Sequence, residues 1–201
     1  MILIGYSGHA FVVCGIFKAT GKKIVGYCDV SEKEYNPFSF QYFGNENSEI
    51  GLTAIKEHGC FIAVGDNQLR QKIFANLQKN NVTPINAIHP TAVIDTSASI
   101  ATAGVMVAAN VTINSLASIA KGAICNTGSI IEHECIVGEF AHIGPGAVLC
   151  GNVKIGSSTF VGANAVIKQG ITVGKNAMIG AGAVVVKDVP DNITVIGVSA
   201  K

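Results

Sequence analysis

The residues whose types suggest chemistry are concentrated in one short segment of the chain. Positions 132 to 142 contain three glutamates and two histidines: Glu132, His133, Glu134, Glu139 and His142. An imidazole beside a carboxylate suits general-base work near neutral pH, because the carboxylate favours the protonated ring and can hold one tautomer. The segment stands out since only 13% of all residues are charged. We therefore take His133 as a candidate base and Glu134 as its partner.

Two other interpretations of these histidines stay open. Outward histidines on turns are often plain solvated surface. A zinc site would need a third ligand close to the pair, whereas the remaining histidines stand at positions 9, 58 and 89. The six cysteines form no C-x-x-C pair, so they match no zinc or redox motif. We expect no metal, and we expect free thiols in a reducing cytoplasm.

An internal repeat of six residues dominates the second half of the chain. An aliphatic residue or cysteine occupies every sixth position from Ile113 to Val185. From position 129 to position 183, a small or β-branched residue follows each of them four positions later. An earlier series consists of Ile88, Ile94, Ile100 and Met106, with one extra residue before Ile113. Such hexads are typical of a parallel β-helix, in which three short strands and three turns make one triangular coil.

The repeat also predicts where the candidate catalytic residues point. The aliphatic and the small side chains should face the interior of each coil, and His133 and His142 fall on other positions, which face outward. Coils stack through main-chain hydrogen bonds. Such helices are usually left-handed, an exception to the right-handed crossover rule. We predict a left-handed parallel β-helix over residues 86–201, a scaffold whose function must come from its outward groups.

The first half has a different pattern, in which short apolar strands alternate with amphipathic helices. Strands are expected at 2–6, 24–28 and 60–64, and helices from about 10 to 20, 52 to 58 and 67 to 79. This alternation is typical of a small parallel sheet covered by helices. We predict an α/β, Rossmann-like domain over residues 1–85.

Composition argues against several classes of partner. Fourteen basic and thirteen acidic residues give a formal net charge of +1, and no basic cluster suits a nucleic-acid backbone. No apolar run is long enough to span a membrane, and the N-terminus lacks the basic start of a signal peptide. We expect a cytoplasmic protein that binds neither nucleic acid nor membrane.

Three segments together resemble one family of enzymes. They are Gly-Tyr-Ser-Gly-His-Ala at 5–10, the central stretch from Asn126 to Cys135, and Gly-Val-Ser-Ala-Lys at 197–201. The chain resembles, over essentially its whole length, the bacterial sugar acetyltransferases of the left-handed β-helix class. This class includes enzymes that N-acetylate UDP-4-amino-4,6-dideoxy sugars, perosamine N-acetyltransferases and sialic acid O-acetyltransferases. Val30 and Ser199 depart from the usual motifs, which often have an acidic residue and a proline there.

The resemblance implies roles for several residues of the second domain. His133 would be the catalytic base, Glu134 would raise its basicity, and His142 would hydrogen-bond the carbonyl of the acetyl thioester. Acetyl-CoA would be the co-substrate and would lie in a groove between neighbouring β-helices of a homotrimer. Its contacts are expected at Ala163 and Ala181, which recur on one face of the helix.

The resemblance also implies a nucleotide-linked amino sugar as the acceptor, held by the N-terminal domain. This expectation agrees with chemistry, since helix N-termini and the ends of parallel strands attract phosphates. The expected substrate contacts are Ser7, Gly8, His9, Asp29, Gly65 and Asn126.

The function expected from these features is acetyl-CoA-dependent N-acetylation of the 4-amino group of a UDP-linked amino-deoxy sugar, a step in polysaccharide biosynthesis. Two alternatives stay open. One is O-acetylation of a sugar hydroxyl, as in sialic acid, and the other is non-catalytic binding of a sugar nucleotide.

Overall fold

The computed structural model describes residues 1–198, which form an α/β domain followed by a three-sided column of coils. The elements of the first domain are β1 (Ile2–Ile4), α1 (Gly8–Ala19), β2 (Gly26–Cys28), β3 (Gln41–Tyr42), α2 (Glu49–His58), β4 (Cys60–Ile62) and α3 (Asn67–Lys79). The strands are parallel, in the order β3-β2-β1-β4. The predicted α/β class is confirmed, although the strands are shorter than predicted. Residues 199–201, which include the departure at Ser199, lie outside the described residues.

Capping residues explain where two of the helices begin. The Asp66 side chain accepts a hydrogen bond from the Leu69 amide at 2.7 Å, and α3 begins directly after it, as predicted. The Ser48 hydroxyl accepts from the Gly51 amide in the same way. Helix α2 therefore begins at Glu49, three residues before the predicted start, because an N-cap serine satisfies an otherwise free amide of the first turn.

The second domain is a parallel β-helix with three faces, each built from stacked two-residue strands. The covered face consists of β5 (Ala87–Ile88), β8 (Met106–Val107), β11 (Ile124–Cys125), β14 (His142–Ile143), β17 (Phe160–Val161), β20 (Met178–Ile179) and β22 (Thr194–Val195). The apolar face consists of β6 (Val93–Ile94), β9 (Thr112–Ile113), β12 (Ile130–Ile131), β15 (Val148–Leu149), β18 (Val166–Ile167) and β21 (Val184–Val185). The polar face consists of β7 (Ser99–Ile100), β10 (Ser118–Ile119), β13 (Ile136–Val137), β16 (Lys154–Ile155) and β19 (Thr172–Val173).

The interior of the column follows the predicted hexads. Every residue of the series from Ile113 to Val185 is at most 2% exposed. The small residues four positions later are buried as well, among them Ser129 and Thr159, whose side chains are fully covered. The repeat therefore predicted the register of all coils from Ile113 onward.

The predicted register is wrong at Met106. Val107, not Met106, pairs with the inward Cys125, and Met106 pairs with Ile124. The extra residue therefore lies before Met106, in the turn that contains Gly104, whose φ is +68°. Met106 points outward but is fully buried, because the N-terminal domain packs over the covered face.

The three faces differ in what their outward side chains meet. On the covered face, Ile124 and His142 are buried beneath the first domain. On the polar face, Lys154 and Thr172 are exposed. The apolar face presents an unbroken aliphatic row at its centre, formed by Ile130, Val148, Val166 and Val184, all half-buried.

Two further observations bear on expectations from the sequence. No helix within residues 1–198 is long and apolar enough to cross a membrane. All six cysteines have free thiols in this structure, and all but Cys150 are buried.

Candidate active site

His133 and Glu134 lie on the turn that joins the apolar face to the polar face, directly after β12. Nδ1 of His133 is 3.1 Å from Oε2 of Glu134, and both side chains are about half exposed, at 52% and 57%. A carboxylate can only accept a hydrogen bond, so Nδ1 carries a proton in this contact, and in the neutral form of the ring Nε2 has the free lone pair. The arrangement is that of an oriented imidazole with an accessible basic nitrogen.

The backbone of Glu134 is unusual for its residue type. Its φ is +61°, in the left-handed region that costs a residue with a side chain about 1 kcal/mol or more. Most equivalent turn positions carry Asn or Gly, such as Asn152 and Gly128, which tolerate this conformation, but Leu116 and Phe140 also adopt it. The left-handed backbone therefore belongs to the turn itself, and glutamate is one of several residue types found in it.

Gly151 is a neighbour of His133 that no sequence motif indicated. A Cβ atom added to Gly151 would lie 2.5 Å from both Cε1 and Nε2 of His133. The two residues are one coil apart, 18 positions along the chain, so the repeat itself offered a way to find this contact. Only glycine leaves room for the imidazole in its observed orientation.

A cavity of about 350 Å³ in the first domain brings together three of the predicted substrate contacts. Ser7, Asp29 and Gly65 line it, together with Lys33 and Glu46. It opens at the ends of β1 and β4 and at the N-terminus of α1, where free amides can bind an anion.

The polar groups of this cavity have defined partners. Asp29 accepts a hydrogen bond from the Tyr6 amide at 2.9 Å and forms an ion pair with Lys33 at 2.9 Å. The Ser7 side chain makes no capping hydrogen bond at the start of α1. Its hydroxyl is therefore available to a ligand at the helix N-terminus.

Gly8 and His9 do not line this cavity. Gly8 starts α1, and the His9 ring lies on the other side of the loop after β4, 3.6 Å from a Cβ position built on Gly65. Nε2 of His9 is buried without a hydrogen-bond partner. His9 therefore faces the junction between the two domains.

His142 and Asn126 meet at that same junction. Nε2 of His142 is 3.1 Å from Nδ2 of Asn126, and its Nδ1 is 3.3 Å from the carbonyl oxygen of Gly65. Both ring nitrogens thus have partners within the chain. The expected contact of His142 with the thioester carbonyl stays a prediction.

His142 also lines a second cavity of about 580 Å³ between the loop after β4 and the covered face, with Asp66 and Phe160.

Arg70 holds this junction together, and no sequence pattern marks it. Its side chain is buried and donates to five acceptors on both domains: the carbonyls of Val64, Gly65, Gly122 and Phe140 and the side-chain oxygen of Asn67, at 2.7–3.1 Å. All five guanidinium protons are thereby satisfied. Arg70 fixes the loop that carries Gly65 against the β-helix.

The buried charge of Arg70 affects the histidines beside it. Burial first, and then Arg70, lower the pKa of His9 to about 4. The same two causes, in the same order, lower the pKa of His142 to about 4. Both rings are therefore neutral near pH 7.

The two alanines expected to contact acetyl-CoA are stacked at another corner. Ala163 and Ala181 lie on successive coils, on the turns that join the covered face to the apolar face, and the Ala163 carbonyl accepts from the Gly182 amide at 2.8 Å. Asn126 begins the turn at the same corner, two coils below Ala163.

Residues 1–198 contain no group of three His, Cys, Asp or Glu side chains that could hold a metal.

Comparisons with known proteins identify both halves of the chain. The family model for the PglD N-terminal domain matches residues 1–77, and the model for bacterial transferase hexapeptide repeats matches residues 152–187. The crystal structure of PerB from Caulobacter crescentus, in complex with CoA and GDP-perosamine, is 36% identical, with a TM-score of 0.91, over 100% of this chain and 95% of that one. This chain belongs to the left-handed β-helix family of sugar acetyltransferases.

Two other members of this acetyltransferase family are similar to the chain. The acetyltransferase domain of PglB from Neisseria gonorrhoeae, in complex with acetyl coenzyme A, is 32% identical with a TM-score of 0.89, over 100% of this chain and 97% of that one. GDP-perosamine N-acetyltransferase from Escherichia coli O157:H7 is 34% identical over 94 residues, which span 47% of this chain and 42% of that protein. The family confirms the predicted left-handed β-helix.

Within a single copy of the chain, the predicted site residues lie in separate places. His133 and Glu134 line neither the cavity beside Asp29 nor the cavity beside His142. They lie at one edge of the apolar face, whereas Asn126, Ala163 and Ala181 lie at the opposite edge. The structure therefore does not bring all the predicted site residues together within one chain.

Proposed function

We propose that the protein transfers an acetyl group from acetyl-CoA to the 4-amino group of a nucleotide-linked amino-deoxy sugar, with His133 as general base. The observation that carries the proposal is the His133–Glu134 pair, an exposed imidazole whose Nδ1 is held by a carboxylate at 3.1 Å. The relatives that bind CoA or acetyl-CoA support the donor, and the PerB complex with GDP-perosamine supports the class of acceptor.

The complete site is proposed to form between copies of the chain in a homotrimer. The aliphatic row of Ile130, Val148, Val166 and Val184 is uncovered in a single chain, and a flat apolar surface of this kind favours association. Three copies arranged around an axis with their apolar faces inward would cover it by a closed, head-to-tail contact.

Such a ring brings opposite edges of neighbouring apolar faces together. The edge of one copy that carries His133 and Glu134 meets the edge of the next copy that carries Asn126 and Ala163. His133 and Asn126 flank the same strand, β12, so a threefold rotation keeps them at the same height. The base of one copy would then face the junction of the next.

Acetyl-CoA is proposed to lie along this groove, beside the stacked turns of Ala163 and Ala181. Their small side chains leave the main chain open to a pantetheine arm. The nucleotide would bind in the cavity lined by Ser7, Asp29 and Gly65, with its phosphates at the N-terminus of α1 beside Gly8. The sugar would extend past Gly65, His9 and Asn126 toward the groove.

The chemistry then needs one base and one electrophile. The neutral sugar amine attacks the thioester carbonyl carbon, and a C–N bond forms while the carbonyl oxygen takes up negative charge. Nε2 of His133 accepts the proton that the nitrogen loses. The tetrahedral intermediate collapses by breaking the C–S bond, and the imidazolium returns its proton to the departing thiolate of CoA. Glu134 stabilises the positively charged ring meanwhile.

The proposal is tested by supplying the full chain with acetyl-CoA and a panel of acceptors: a UDP-linked 4-amino-4,6-dideoxy sugar, GDP-perosamine, CMP-sialic acid and free sialic acid. Mass spectrometry of the sugar and the release of free CoA thiol measure transfer. We expect N-acetylation of at least one nucleotide-linked 4-amino sugar. Acetylation of a sialic acid hydroxyl alone would overturn the proposal in favour of O-acetylation, and binding of a sugar nucleotide without transfer would favour a non-catalytic role.

A further inference from the structure

The amide of Asn126 has a defined orientation in this structure. Its Oδ1 accepts a hydrogen bond from the backbone amide of Thr127 at 2.8 Å, and a backbone N–H can only donate. Oδ1 therefore points toward Thr127, and Nδ2 must be the atom that faces His142. An inverted amide would place two donors against each other at Thr127.

This orientation fixes the tautomer of His142. Nδ2 of Asn126 can only donate, so Nε2 of His142, 3.1 Å away, must accept and carries no proton. Nδ1 lies 3.3 Å from the carbonyl oxygen of Gly65, which can only accept, so Nδ1 must carry the proton. Two independent contacts thus require the same neutral form of the ring.

The surroundings of His142 also oppose a second proton on its ring. Two charged residues lie near it: Arg70, which donates to the same Gly65 carbonyl at 3.0 Å, and Asp66, which lines the same cavity. The His9 ring lies on the other side, with its centroid 6.0 Å away, and the Phe160 ring packs against it edge-on at 4.9 Å. No carboxylate hydrogen-bonds to His142 among the described residues. A cationic imidazole would face a buried guanidinium.

We propose that His142 acts as a neutral positioning residue, protonated at Nδ1, that links the Gly65 carbonyl of the N-terminal domain to the amide of Asn126 on the β-helix. The proposal rests on the proposed acetyl transfer and deepens it. A neutral ring in this tautomer has no N–H left to offer the thioester carbonyl, so His142 acts through Asn126.

The consequence for Asn126 is a specific polarity at the edge of the groove. Its Oδ1 is engaged by Thr127 and one Nδ2 proton by His142, which leaves the second Nδ2 proton without a partner among the described residues. Asn126 therefore presents a hydrogen-bond donor. Such a donor matches an acceptor atom, either the thioester carbonyl oxygen or an oxygen of the sugar, rather than an ammonium group.

The tautomer is measured directly by nuclear magnetic resonance on the full chain labelled with ¹⁵N-histidine. The ring signals of His142 are assigned as those absent from His142→Gln. We expect the pattern of a neutral ring protonated at Nδ1 at pH 7, unchanged down to pH 5. A ring protonated at Nε2, or one that takes up a second proton near pH 6.5, would overturn the proposal. This readout needs no turnover, so it stands apart from the test of acetyl transfer.

A double-mutant cycle tests whether His142 acts through Asn126. We expect His142→Ala and Asn126→Ala each to lower kcat about 10–100-fold, and the double variant to be no slower than Asn126→Ala alone. Losses that multiply would show an independent contact of His142 with the reacting groups and would overturn the proposal. Two amide substitutions separate these contacts. His142→Gln keeps an acceptor for Asn126, whereas His142→Asn keeps a donor for Gly65. Because the proposed role acts through Asn126, His142→Gln should retain the higher kcat. The reverse order would also contradict the proposal.

Discussion

The imidazole of His133 lies directly over the backbone of Gly151, where an added Cβ atom would be 2.5 Å from Nε2. The φ of Gly151 is not in the left-handed region, so alanine fits the backbone and collides only with the ring. Gly151→Ala should therefore displace the base and lower kcat about 10–100-fold, since a shift of about 1 Å in a catalytic group has effects of this size. Steady-state kinetics measure the change in kcat, and a thermal unfolding curve shows whether the variant stays folded.

The control for this substitution is Gly15→Ala in α1, where an added Cβ meets nothing within 4 Å. Alanine favours the helix by about 1 kcal/mol, and kcat should stay unchanged. If Gly151→Ala left kcat as it was while the fold persisted, the position of the His133 ring would not matter for turnover.

Glu134→Gly should make the fold more stable and the protein less active. Glycine at this turn would relieve the left-handed backbone, at φ +61°, and raise the free energy of unfolding by up to about 1 kcal/mol. The same change removes the partner of His133 Nδ1, so kcat should fall at least about tenfold. Urea unfolding and kinetics of Glu134→Gly measure the two effects. The matched control is Asn110→Gly, which has φ +57° and lies on a different turn from His133; a loss of kcat there too would refute a role specific to Glu134.

Acid should weaken the fold through the junction histidines. The pKa values of His9 and His142 are lowered to about 4 in the folded chain, against about 6.5 in an unfolded one. Between pH 6.5 and pH 4 the unfolded state binds the additional protons. The free energy of unfolding therefore falls as the pH is lowered through this window, by at most about 1.4 kcal/mol per pH unit for each histidine. Above pH 6.5 this contribution is fully present.

The measurement is urea unfolding from pH 4.5 to 7.5 at one protein concentration, for the natural chain and for His9→Gln/His142→Gln. The double variant should show a flatter dependence on pH. His58→Gln, at a histidine outside the junction, serves as the control and should keep the natural slope. An unchanged slope in the double variant would mean that the junction does not hold these rings neutral.

The apolar face should determine the oligomeric state. Val166 lies in the centre of the aliphatic row, and a lysine there would place a charge in the proposed contact between copies, where burial without a partner is costly. Val166→Lys should give a folded monomer with little turnover, measured by analytical ultracentrifugation and kinetics. Thr172→Lys, on the exposed polar face, should stay trimeric and active. A natural chain that sediments as a monomer would contradict the shared groove.

Much of the β-helix could be predicted because each hexad is a local rule. An inward aliphatic residue such as Ile143 and a small residue such as Ala147 occupy fixed places in every coil, so the period alone gives the register. The slip at Met106 shows the limit. An apolar residue covered by another domain looks the same in sequence as one inside the coil, and the extra residue at Gly104 interrupts the count.

The junction could not be predicted from the sequence because its contacts join distant segments. Arg70 lies on α3, within a helical pattern that gives no reason to expect a buried charge, and its acceptors at Gly122 and Phe140 are 52 and 70 residues away. The composition of the Glu132–His142 segment predicts chemistry there, and this stays a prediction. The positions of His133 and His142 on different sides of the column depend on how the coils stack and where the first domain packs.

The most direct test of the central claim is the kcat of His133→Ala for transfer from acetyl-CoA to the best nucleotide-linked amino sugar, with CoA binding followed by calorimetry. We expect kcat to fall by roughly 10²–10⁴, the usual contribution of a general base, while CoA binds as before. Turnover close to that of the natural chain would show that another group takes the proton and would contradict the account.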